Sequence, residues 1–110
     1  MTKAVVRAAG LLEVSQIRIA EILGVSSATA SRMASGNYQL TEDSKQWELA
    51  ALFVRLFRSL DAIVGNDAAK VAAWMESYNQ ALNGIPRELI ESPQGLVMTL
   101  QYVDAMRATS

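Results

Sequence analysis

Between Thr41 and Val64 the chain leaves itself almost no face to show to water. Trp47, Leu49, Ala50, Leu52, Phe53, Val54, Leu56, Phe57, Leu60, Ile63 and Val64 fall on nearly every side of a helical wheel, and only Glu48, Arg55, Arg58 and Ser59 interrupt them. A helix that is apolar on most sides must be covered on most sides. The hydroxyl of Thr41, with Glu42 and Asp43 in the first turn, predicts the start of this helix, and Gly65 predicts its end. In a chain of 110 residues, 51% of them hydrophobic, such a helix is the natural centre of a single core. The width of its apolar stripe further predicts that part of it packs on a second copy, giving a homodimer.

The other segments are helical too. No alternating run of β-branched residues bounded by turns marks a strand. Apolar spacing predicts a first helix from Lys3 to about Leu12, with Val5, Ala8, Ala9 and Leu12 on one face, and a second from Gln16 to Leu23 behind Ser15. Gly24 stops the second, and Ser26 caps a third that runs from Ser27 to about Ser35, ahead of Gly36 and Asn37. After the long helix, Asn66 and Asp67 open another through about Tyr78, with Val71, Trp74 and Met75 inward. A short helix enters at Pro86, and a last one begins at Pro93 behind Ser92 and reaches about Arg107. Gly84 and Gly95 read as helix stops. The fold class is therefore all-α: a small head over residues 1–40, then a long central helix and a small helical subdomain over residues 41–110.

Composition removes several chemistries. The chain has no cysteine and no histidine, so thiolate nucleophiles, imidazole bases and the usual zinc ligands are missing together. No enzyme activity, metal or cofactor is expected. No apolar run reaches the 18 residues of a membrane span, and the first residues are too short and interrupted for a signal peptide; a cytoplasmic protein is expected. The net charge is −1, yet it is unevenly spread. Residues 1–40 hold Lys3, Arg7, Arg18 and Arg32 against Glu13 and Glu21, whereas the remainder is richer in acids than bases. That division suits a head that approaches phosphates and a body that does not.

The third helix explains the head. In "EILGVSSATASRMASG" small and polar residues stand where a core helix would carry leucine. A helix-turn-helix requires this: Ala20 permits close crossing, Gly24 and Val25 make the turn, and Ala30 and Met33, with Ala34, face inward. Ser27, Ala28, Ser31 and Arg32 then form a slim outer face that can enter a major groove. The segment over residues 16–36 resembles the helix-turn-helix of Xre and phage repressors. The resemblance implies that Gln16 touches a phosphate, that Ser27, Ala28 and Arg32 reach base edges, and that Thr29, Ser31 and Asn37 contact phosphates; Ser26, the cap, completes the expected DNA-binding set. With one long basic residue on this face, a monomer should bind weakly, and two heads on a palindromic duplex operator should restore affinity.

In the second half, Trp74, Asn79, Leu82, Gly84, Pro86, Leu89, Ile90 and Gly95 precede an apolar helix. That order, over roughly residues 60–107, is similar to the toxin-binding domain of MbcA/ParS/Xre antitoxins. Trp74 reads as core, while Tyr78, Asn79 and Gln80 form an exposed corner suited to a partner. The resemblance implies a cognate RES-type toxin that consumes or uses NAD, an operon repressed by its own antitoxin, and a last helix and tail, here Arg107, Thr109 and Ser110, that press on the toxin. Two other readings use the same residues: a stand-alone repressor whose C-terminal half only dimerises, and an adaptor that keeps the head purely as a fold.

Overall fold

The computed structural model describes residues 1–109; Ser110, expected at the toxin, lies outside the described residues. Among them run seven helices and no strand: α1 (Thr2–Leu12), α2 (Gln16–Leu23), α3 (Ser27–Ala34), α4 (Lys45–Ile63), α5 (Ala68–Glu76), α6 (Pro86–Leu89) and α7 (Pro93–Thr109). The fold is all-α, as the periodicity predicts.

The central helix is α4. Its Ala50, Phe53, Leu56 and Leu60 are fully or almost fully buried, and it packs on α1, α2, α5 and α7. The expected inward face of α1 is the observed one: Val5, Ala8, Ala9 and Leu12 are all buried. These residues join Ile22, Leu23, Met33, Val71, Met75, Ile90, Leu96 and Val103 in a single core. Trp74 is half-buried and packs against that core. The segment leading into α4 is tied down by a buried contact, in which the Leu40 N–H donates to Thr2 Oγ1 at 3.0 Å.

Four local expectations are corrected. Thr41 does not cap α4. Residues 41–44 form a separate turn in which Asp43 adopts a left-handed φ of 65°, and both the N–H and the hydroxyl of Ser44 donate to the Thr41 carbonyl. The helix then starts at Lys45, with Ser44 Oγ accepting the Trp47 N–H at 3.1 Å. Ser59 is not on the polar face of α4; it is buried and donates to Asp104 Oδ1 of α7 at 2.8 Å. Helix α5 stops at Glu76, and Ala34 on α3 is exposed rather than inward.

Gly84 and Gly95 are likewise not helix stops. Gly84 pairs its backbone with Asn79 in an isolated antiparallel bridge, and a Cβ there would lie 2.9 Å from Leu89 Cδ2. Gly95 lies inside the first turn of α7, its N–H donated to Ser92 Oγ at 3.0 Å. A Cβ on Gly95 would sit 1.9 Å from the Leu89 carbonyl oxygen. Both glycines therefore let α6 close onto its neighbours.

Candidate functional site

Helices α2 and α3 pack on each other around a tight turn. Gly24 holds φ 69°, a left-handed conformation that glycine adopts without steric cost. The Val25 N–H returns to the Ala20 carbonyl at 3.0 Å, satisfying an end of α2 that would otherwise be bare. Ala20 is buried at the crossing, and Ala30 and Met33 anchor α3 to the core. One full side of α3 is then left to solvent.

That side is the expected ridge. Ser27, Ala28, Ser31 and Arg32 are exposed, and Thr29 is half-buried at its edge. The residues are linked by hydrogen bonds. Ser26 Oγ accepts the Thr29 N–H at 3.0 Å and donates its hydroxyl to Thr29 Oγ1 at 3.0 Å. Arg32 Nη2 donates to the same Thr29 Oγ1 at 3.2 Å. Ser26 and Thr29 thus cap the helix and steady the arginine. Asn37 follows the end of α3, its N–H on the Arg32 carbonyl and its amide on Ser35 Oγ. Gln16 is exposed at the first position of α2.

The basic residues of the head do not gather on this ridge. Arg18 pairs with Glu91 at 2.5 Å, so a cation of α2 is spent on the stretch between α6 and α7. Lys3 and Arg7 lie on α1 and line a groove against α4. Only Arg32 brings a long cation to α3. The charge excess of residues 1–40 is real, but its location cannot be inferred from a count.

At the other end, Tyr78 is 61% exposed and donates its hydroxyl to Asn83 Oδ1 at 2.6 Å. Gln80 is exposed beside it. Asn79 is partly structural: its backbone forms the bridge to Gly84, and its Oδ1 accepts the Leu82 N–H at 3.0 Å. The loop is further braced by Arg87, which pairs with Glu76 at 2.5 Å. Arg107 and Thr109 lie on the last turns of α7, well separated in sequence from this corner. Arg107 Nη1 reaches Ser59 Oγ at 3.5 Å, and Thr109 bonds back to the Met106 carbonyl at 3.0 Å.

One exposed apolar strip was missed by sequence reasoning. Val97 and Met98 of α7 are 38% and 40% exposed, flanked by Gln94 and Gln101 in an open groove. The signal was present: Leu96, Thr99, Leu100 and Val103 complete one inward stripe at helical spacing, which leaves Val97 and Met98 outside it.

Comparison with known families accounts for both halves of this geometry. Residues 1–55 match the antitoxin Xre-like helix-turn-helix domain, and residues 59–108 match the antitoxin Xre/MbcA/ParS C-terminal toxin-binding domain. No curated protein matches the chain. The two matches meet within α4, the helix that carries the common core. With a DNA-binding helix-turn-helix in its first half and a toxin-binding domain in its second, the chain belongs to the Xre/MbcA/ParS family of antitoxins.

Proposed function

We propose that the protein neutralises a RES-type toxin, one that consumes NAD or transfers ADP-ribose, and represses its own operon in the cytoplasm as a homodimer. Residues 1–40 are the DNA-reading head and residues 41–110 the dimerising and toxin-binding body. The observation that carries the reading is the succession of the two matched antitoxin domains along one chain. The exposed ridge of α3 supports the DNA half: Ser27, Ala28 and Arg32 face base edges, while Gln16, Thr29, Ser31 and Asn37 meet phosphates and Ser26 holds the helix start. On the body, Tyr78, Asn79 and Gln80 form one contact area. Arg107, Thr109 and Ser110 form another, and the Val97–Met98 strip of α7 adds apolar surface to the toxin face.

Co-expression with the adjacent reading frame tests the toxin. The neighbour alone should deplete cellular NAD and arrest growth, and this protein should reverse both and co-purify with it. A neighbour that leaves NAD untouched would end the RES assignment. Footprinting on the protein's own promoter tests autoregulation independently, with protection expected over two half-sites about one helical turn apart.

A further inference from the structure

The first turn of α1, α4 between Trp47 and Ser59, and the end of α7 border a half-open cavity of ≈ 600 Å³. Met1, Ala4, Trp47, Ala51 and Val54 form its apolar side, and the rest of its lining is polar. Three guanidinium groups, of Arg55, Arg58 and Arg107, border it, and among the described residues Asp104 is the one carboxylate there. That carboxylate is already committed, since Oδ2 accepts from Arg55 at 2.6 Å and Oδ1 from Ser59 at 2.8 Å. Arg58 makes no ion pair among the described residues, and it also borders an adjoining groove of ≈ 270 Å³ lined by Lys3 and Arg7. Five of the chain's ten basic residues thus border two neighbouring hollows, with one acidic side chain there among the described residues, in a protein whose net charge is −1.

This distribution selects the occupant. A two-fold dimer contact sets a surface against itself, and this surface against itself would oppose arginine with arginine. An anion removes that conflict. Guanidinium forks match phosphate oxygens in a bidentate geometry. The indole of Trp47 and the aliphatic wall beside it suit a planar ring. The volume lies within the range of about 300–1,000 Å³ usual for small-molecule sites. We propose that this cavity binds a nucleotide phosphate, with the base against Trp47 and the phosphates on Arg58. The site is separate from the α3 ridge, and of the proposed toxin contacts only Arg107 borders it.

The phosphate has two sources, a free nucleotide or the backbone of a nucleic acid, and one titration separates them. Trp47 and Trp74 are the two tryptophans, so Trp74→Phe leaves Trp47 as the only reporter. ADP added to this protein should change Trp47 emission saturably. Arg58→Ala should weaken the apparent affinity by about tenfold or more, the usual effect of losing a charge-assisted hydrogen bond, whereas Arg32→Ala should leave it unchanged. Displacement of ADP by a duplex lacking the operator, in the Arg32→Ala background, assigns the site to backbone phosphate; retention of ADP alongside the duplex assigns it to a free nucleotide. Should Trp74→Phe not fold, calorimetry of ADP binding to the unaltered chain and to the same arginine variants gives the same comparison. Absence of any ADP binding at millimolar concentration, or equal binding by Arg58→Ala, overturns the proposal.

Discussion

In the proposed DNA-reading role, Arg32 is the side chain of α3 with the greatest reach. It is exposed, braced by Thr29, and the only long cation on its helix. Arg32→Ala should cost about 1–3 kcal/mol of operator affinity and relax the preference at the base it reads, measured by fluorescence anisotropy against single-base operator variants. Two glycines define opposite extremes for stability. Gly95→Ala forces a methyl group into the Leu89 carbonyl oxygen, and the backbone must move to admit it. A loss of about 1–3 kcal/mol or more is expected, read as a lower urea midpoint. Gly10 is helical, exposed and has nothing within 4 Å of an added Cβ. Gly10→Ala should therefore raise stability by about 0.4–1 kcal/mol in the same titration.

The helices show where sequence is informative and where it is not. Ser44→Ala should cost about 1 kcal/mol because its oxygen caps α4, and Thr41→Ala should cost far less by thermal melting. Both residues precede the same apolar run, and both are good caps in isolation. What decides between them is the left-handed turn at Asp43, a conformation that no local pattern requires. By contrast, α2 was legible to the residue, because Ser15 and Gly24 bracket a strict apolar spacing and no other punctuation competes. The face of α3 was legible for the same reason: Ala30 and Met33 fix its inward side and hence its outward one. Gly84 and Gly95 were legible as special positions but not as close approaches, since the atoms they make room for belong to Leu89 and arrive only with the tertiary fold. Ser59 deceived for a related reason, its partner Asp104 lying on a helix 45 residues later in the chain.

At the scale of the whole molecule, the head is electrostatically modest. Each phosphate neutralised adds about 0.9 to the slope of log affinity against log salt. With Arg18 engaged by Glu91 and only Arg32 on α3, the slope per head should be shallow, and operator binding measured across a salt series should report it. The Arg18–Glu91 pair also joins α2 to the body. Both side chains are about a third exposed, so a double-mutant cycle on stability should give a coupling of only about 0.2–1 kcal/mol. The stronger mechanical link is α4. A single unbroken rod of 19 residues carries packing from both matched domains. One residue inserted at its middle would swing everything beyond by about 100° around the rod's axis. The spacing along α4 is thus locked like the cut of a key.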